Sequence, residues 1–210
     1  MIENVEVLYH SSIRIKGNKT IYIDPFKINE NSNDADLIFI THDHYDHYSE
    51  EDIDKVKNKD TIIVAPENLL KKLLKKGIEQ NNIVLVEPGQ AYEASGIKFE
   101  TVPAYNLGKP FHPKGNNWVG YIINIDEINY YIAGDTDLTN ENKQVRCDVA
   151  FVPVGGTYTM NYTEAAELVN NIKPKIAVPI HYGSIVGTKQ DAEKFINLLN
   201  DGIQGEILMK

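Results

Sequence analysis

The sequence predicts a mixed α/β fold in which two sheets pack face to face and helices cover their outer surfaces. Three observations lead there. Short apolar-alternating segments joined by turn residues dominate the first part of the chain. The later part mixes hairpins, strands and amphipathic helices, with no linker, repeat or low-complexity stretch between them. Residues 149–154 are apolar on all sides, as in a strand covered on both faces. The length of 210 residues is ample for such a core and fits one domain, 1–210.

In chain order, residues 5–10 and 12–15 alternate apolar with polar, and Gly17-Asn18 turns the chain into Thr20-Ile21-Tyr22-Ile23, a hairpin that Asp24-Pro25 ends. Residues 37–40 form a short buried strand. Ser49-Glu50-Glu51-Asp52 resembles a capping box opening a helix through Val56. Residues 61–65 are a strand, after which Pro66 starts a helix over 67–76. That helix carries Leu69, Leu70, Leu73 and Leu74 on one face, readable as core or interface, with lysines on the other and Gly77 as its stop. Residues 83–86 are a strand, and 91–94 with 97–103 make a hairpin about Ser95-Gly96. A long Gly- and Pro-bearing loop, 104–118, follows, of the kind that is commonly functional. Residues 120–125 and 130–133 form a further hairpin. A helix over 163–172 takes Thr163 as its N-cap, a strand over 175–180 is interrupted by Pro179, and a helix over 191–199 precedes a last strand, 206–208.

Composition narrows the function. Apolar residues at 42% and charged residues at 24% are ordinary for a globular protein. A net charge of -9 argues against a nucleic-acid binder, which needs a basic face, while leaving anionic substrates open where divalent ions reverse the local sign. No stretch is apolar enough to span a bilayer, and the N-terminus shows no signal peptide. Cys147 is the single cysteine, which accords with a reducing cytoplasm and reads as core.

The chemistry concentrates in Thr41-His42-Asp43-His44-Tyr45-Asp46-His47, directly after the strand over 37–40. On extended backbone His42 and His44 project to one side and can share an ion, while a turn would aim Asp46 and His47 at a second one. Imidazoles with a carboxylate suit zinc, manganese or iron. A lone His-x-His reads as a solvated turn; four ligand-type residues at this spacing read as a metal site. Asp135, after Gly134 at a strand end, and His181, at another, join it as candidates.

Together these residues resemble the metal motifs of the metallo-β-lactamase superfamily in that family's chain order. Asp24 is similar to its early supporting aspartate. His10-Ser11 and Pro153-Val154-Gly155-Gly156 look like its small metal-dependent hydrolase branch. The resemblance implies a four-layer αββα sandwich. It also implies two divalent ions, zinc foremost with manganese or iron as alternatives. His42 and His44 would surround one ion, Asp46, His47 and His181 the other, with Asp135 between them. The third ligand of the first ion is His112 from the long loop or, where relatives carry a histidine, Asn106. Water on such ions falls in pKa from 15.7 to about 7 and can attack a carbonyl or phosphoryl centre, with Asp46 as the catalytic carboxylate. Asp24 would orient a ligand histidine or cap the turn before Pro25. Tyr105, Trp118, Tyr158 and Met160 are candidate pocket walls, and Tyr182 a candidate donor that more simply packs. The expected activity is hydrolysis of a small ester, lactone or phosphodiester. Nuclease action, iron-dependent redox chemistry and a non-catalytic metal-bound module are the alternatives.

Overall fold

Residues 1–209 are described by a computed structural model, in which thirteen strands form a six-stranded and a seven-stranded sheet. The first sheet runs in chain order: β1 (Val5–Tyr9), β2 (Ser12–Lys16), β3 (Thr20–Ile23), β4 (Ala35–Phe39), β5 (Lys57–Pro66) and β6 (Ile83–Val86). β1 to β3 are an antiparallel meander; from β3 onward neighbours are parallel, in the register Ile23↔Phe39 and Phe39↔Val64. Parallel neighbours need a crossover, supplied by the irregular segment 24–34 between β3 and β4, by α1 (Glu50–Val56) between β4 and β5 and by α2 (Leu70–Lys75) between β5 and β6.

The second sheet mirrors that plan. β7 (Ala91–Ala94), β8 (Ile97–Pro103), β9 (Val119–Ile125) and β10 (Ile128–Ile132) are antiparallel. β11 (Val149–Pro153), β12 (Ile176–Ile180) and β13 (Gln204–Gly205) continue in parallel, crossed over by α3 (Tyr162–Ile172) and α4 (Lys189–Asn197).

The all-apolar strands serve two cores at once. Along β4, Leu37 and Phe39 face the opposite sheet, where Phe39 meets Phe99 and Tyr121 edge-on at 5.0 and 5.1 Å. Ile38 and Ile40 face outward, onto Ile53, Val56, Leu69 and Leu73 of the helical side. Along β11, Val149 and Phe151 point into the central core, and Ala150 and Val152 meet Leu168, Val169 and Phe195. The result is the expected αββα order of layers.

Several local expectations shift. Pro66 closes β5, and Glu67–Leu69 form a 3-10 turn before α2, so only Leu69 and Leu73 are buried while Leu74 is exposed. Ser49 caps α1, but the Asp52 carboxylate accepts from the Ser49 hydroxyl at 2.7 Å and from the Lys27 and Ile28 amides at 2.9 Å each, not from the Ser49 amide as in a capping box. Asn161, not Thr163, caps α3, accepting from the Thr163 and Glu164 amides because it precedes the first helical residue. Pro179 does not interrupt β12: the carbonyls of Lys175 and Ala177 face the segment of β13, and Pro179 faces the same edge beyond that short strand's end. The last strand is Gln204–Gly205, two residues before the expected one.

Candidate metal centre

Strand ends build the centre. His10 follows β1, Asp24 follows β3, the histidine motif follows β4, Asp135 follows β10 and His181 follows β12. His10, Asp24 and His181 all have left-handed backbone, with φ of 54, 45 and 57°. That conformation costs a non-glycine residue roughly 1–2 kcal/mol and persists where the surroundings over-determine it. The surroundings do so here. The His181 amide donates to the His10 carbonyl at 3.0 Å and the Val119 amide to the Thr41 carbonyl at 3.2 Å, stitching the two sheets together beside the site. Gly134 (φ +65°) lies so close to Thr41 that an added Cβ would stand 3.3 Å from the Thr41 Cβ.

All six histidines of the chain converge at this edge. The motif lies in irregular backbone closed by the His47 and Tyr48 amides on the His44 carbonyl, not on a strand. It still places His42 Nε2 3.1 Å from His44 Nδ1. Ligand-type atoms of His42, His44 and His112 form one cluster within 4.8 Å, His42, His47 and Asp135 a second, and His10, Asp46 and His181 a third. Asp135 joins them: its Oδ2 is 3.0 Å from His181 Nε2 and 3.3 Å from His112 Nε2, and its Oδ1 is 3.2 Å from His47 Nε2. Asp46 Oδ2 stands 3.5, 3.6 and 3.7 Å from Nε2 of His10, His47 and His181.

The outer ring nitrogens are held from behind. Asp24 accepts from His47 Nδ1 at 2.7 Å, from the Thr41 amide at 2.8 Å and from the Thr41 hydroxyl at 2.7 Å. With its proton given to Asp24, Thr41 Oγ1 accepts from His42 Nδ1 at 3.0 Å. One carboxylate therefore fixes the tautomers of two histidines. Asn106 does not stand in the cluster. Its Oδ1 accepts from the His112 amide and ring Nδ1 at 3.0 and 3.1 Å, while its Nδ2 donates to Tyr158 O and Asp137. The two candidates thus take different places: His112 reaches in and Asn106 braces it. Ser184 Oγ meets His10 Nδ1 at 3.2 Å. Nε2 of His10, His47, His112 and His181 is buried without a hydrogen-bond partner. Four buried, unpaired ring nitrogens around carboxylates are the donor set a divalent ion satisfies.

The electrostatics divide the histidines into two kinds, those held neutral by burial and those drawn towards the charged form by Asp135. Burial draws the His10 pKa down to about 4 and pushes His42 well below the usual imidazole value, so both are neutral near pH 7. For Asp135, burial opposes the charge, but His181 and His47 hold the carboxyl well below its ordinary range. His47 is likewise opposed by burial and is raised by Asp135 and Asp24. Trp118 backs His42, His44 and His112 at ring distances of 5.0, 4.8 and 5.5 Å, shielding them from water.

A cavity of about 240 Å³ opens over His44, Asp46, His112, Asp135 and His181, walled by Tyr45, Phe111, Tyr158 and Ile185. Of the expected wall residues only Tyr158 lies there. Trp118 sits behind the histidines, Met160 is in the core, and the Tyr105 hydroxyl donates to Glu141. Tyr182 packs in the outer core, as does half-buried Cys147, whose thiol burial pushes up to about 12. The residue that sequence reasoning left out of the cluster is His10. Its signal was its position, a histidine at a strand end like His181.

Comparison with known proteins places these observations in context. Residues 4–181 match the β-lactamase superfamily domain. A metal-dependent hydrolase of Thermococcus onnurineus is 32% identical, the match covering 97% of this chain and 95% of that one. One from Lysinibacillus sphaericus is 30% identical, with 94% and 93% covered. Among solved structures, a Parabacteroides distasonis protein named as a candidate metal-dependent hydrolase superposes with a TM-score of 0.82 at 33% identity, covering 97% of this chain and 91% of that one. No helix among the described residues is long and apolar enough to cross a membrane.

Proposed function

The chain belongs to the β-lactamase superfamily, and on that premise we propose that it is a cytoplasmic metal-dependent hydrolase with a dinuclear centre, acting on a small ester, lactone or phosphodiester. The observation that carries the proposal is the gathering of every histidine in the chain into overlapping clusters with Asp46 and Asp135, four of them with a buried, unpaired Nε2. His42, His44 and His112 would hold one ion. Asp46, His181 and His47 would hold the other, with Asp135 between the two sets of ligands and His10 beside Asp46. An imidazole-rich set with few carboxylates favours zinc over manganese or iron. When bound, such ions lower the pKa of water and polarise a carbonyl or phosphoryl oxygen.

The chain's own residues do the rest. Asp24, directly and through Thr41, keeps the protons of His47 and His42 on Nδ1, so that each offers its Nε2 lone pair. Asn106 does the same for His112. Asp46 fronts the cavity and orients the attacking water through its carboxylate. Trp118 keeps bulk water off the first cluster, which strengthens every charge interaction there. Nucleic acid is a poor fit, because no lysine or arginine lines the cavity and the net charge is -9.

The test joins elemental analysis to a substrate panel on one preparation. Two equivalents of zinc with turnover of an ester, lactone or phosphodiester support the proposal. An iron centre would point to redox chemistry instead, and a metal-loaded protein inert towards the whole panel would leave a binding module.

A further inference from the structure

The walls of the cavity select a substrate class. Eight large hydrophobic residues are exposed among the described residues, and three of them, Tyr45, Phe111 and Ile185, line this one cavity. Tyr45 is 66% exposed, Phe111 40% and Ile185 37%. Apolar surface left in water forgoes about 25 cal/mol per Å², so its concentration around a reactive floor points to an apolar occupant. The wall is also partly ordered in advance. Phe111 meets Tyr158 edge-on at 4.7 Å, and Tyr45 meets Phe26 at 6.0 Å.

Side-chain charge offers an anion no second anchor. Two carboxylates, Asp46 and Asp135, face the cavity where the proposed ions would offset them, and no lysine or arginine does, so positive charge there would come from the ions alone. Of the cations around the site, Lys109 pairs with Asp137 at 2.6 Å, Lys72 with Asp43 at 2.8 Å and Lys114 with Glu141 at 2.7 Å, while Lys27 lies over the Tyr9 ring and donates to its hydroxyl at 3.1 Å, outside the cavity lining. A phosphodiester keeps its negative charge outside the bond that breaks, and beyond what metal ions hold it is ordinarily clamped by arginine or lysine. Nothing in this wall supplies that clamp.

We propose, resting on the hydrolase reading above, that the substrate is an uncharged carboxylic ester or lactone whose acyl part is apolar and lies against Tyr45, Phe111, Tyr158 and Ile185. At about 240 Å³ the cavity is smaller than the ~300–1,000 Å³ of drug-sized pockets, which suits a medium acyl chain or an alkyl-substituted lactone. In the reaction the water oxygen bonds to the acyl carbon and the acyl C–O bond breaks. One water proton passes to the leaving oxygen, giving an acid and an alcohol, or a hydroxy acid from a lactone.

The full chain reconstituted with zinc is assayed on p-nitrophenyl acetate, butyrate, hexanoate and octanoate, on lactones of growing alkyl tail, and on bis(p-nitrophenyl) phosphate. A buried methylene is worth roughly fourfold, so kcat/KM rises at least about tenfold from acetate to hexanoate. Tyr158→Leu and Ile185→Ala reduce the hexanoate value more than the acetate value. Phe111→Ala does likewise, with its zinc content measured because it adjoins His112. A flat chain-length series, or faster turnover of the phosphodiester, overturns the acyl assignment while leaving a hydrolase. Zinc-loaded protein that turns over none of these compounds overturns the hydrolase reading as well.

Discussion

Asp24→Asn exchanges one oxygen for an NH2 group and should loosen both of the proposed ion sites. The carboxylate is buried and accepts from three donors: the Thr41 amide, the Thr41 hydroxyl and His47 Nδ1. An amide cannot accept from all three, because whichever way it is turned its NH2 faces a donor. If it faces the Thr41 hydroxyl and His47, the hydroxyl must reverse, and the protons of His42 and His47 must move to Nε2, where a lone pair is needed. Loss of such a bracing partner ordinarily weakens metal binding 10–100-fold, about 1.4–2.8 kcal/mol. Here one substitution touches His42 and His47, one histidine of each proposed ion site, so both dissociation constants should rise by that factor. Metal-free stability should change less. The lost charge-assisted hydrogen bonds, about 1.5–3 kcal/mol, are offset by no longer burying a carboxylate, whose pKa burial already raises. Competition against a chromophoric chelator, with thermal melts in the presence and absence of zinc, separates the two effects. Unchanged affinity for both ions in a folded Asp24→Asn protein would refute the tautomer argument.

Other perturbations test different parts of the centre. His112→Ala should lower zinc stoichiometry by elemental analysis, and unchanged stoichiometry would remove His112 from the first cluster. His10→Asn keeps a side chain tolerant of left-handed backbone but withdraws the imidazole from Asp46, so occupancy of the second ion should fall; equal occupancy would make His10 a packing residue. Gly155→Ala would put a Cβ 2.4 Å from the His181 carbonyl oxygen, costing about 1–3 kcal/mol by overpacking and displacing a candidate ligand. Hydrolytic activity should drop while far-ultraviolet circular dichroism is retained, and wild-type activity would show that the loop yields freely. At Asp52, burial raises the carboxyl, but hydrogen bonds from Ser49, Lys55 and the Ile28 and Lys27 amides outweigh it and hold the pKa below its usual value. A depressed folded pKa contributes stability above the unfolded value of about 4 and loses it as pH falls through the folded one. Asp52→Asn should therefore narrow the gap between urea midpoints at neutral and acid pH, and an unaltered gap would place the acid sensitivity elsewhere.

The motif from His42 to His47 was legible because its spacing is local and the preceding apolar strand fixes where it emerges. Strand periodicity likewise carried the two-sheet architecture, since Leu37 to Ile40 and Val149 to Val152 each had to satisfy two cores. What spacing could not show is contact across the sheets. His10 meets His181 only because the end of β1 lies against the end of β12, a consequence of topology. Asn106 and His112 looked like rivals in a linear reading, and the folding back of the loop makes them partners. The helix after Pro66 was overextended because leucine periodicity says nothing of a 3-10 start. Tyr45 and Phe111 went unnoticed as walls, since an aromatic residue in a loop carries no sequence mark of facing a cavity.

Three of the four segments that shape the floor of the cavity also shape its rim. Tyr45 sits between His44 and Asp46, Phe111 precedes His112, and Ile185 lies four residues after His181. Reactivity and selectivity are thus interleaved along the same stretches of chain. A lineage could retune what enters by exchanging single side chains between the candidate ligands, with no loop to lengthen and no helix to move. The same interleaving limits how far such change can go: an insertion that widened the rim would shift the adjoining ligand with it. Substrate range in this architecture should therefore drift by point substitution at the positions of Tyr45, Phe111 and Ile185, while the lengths of these three segments stay constant.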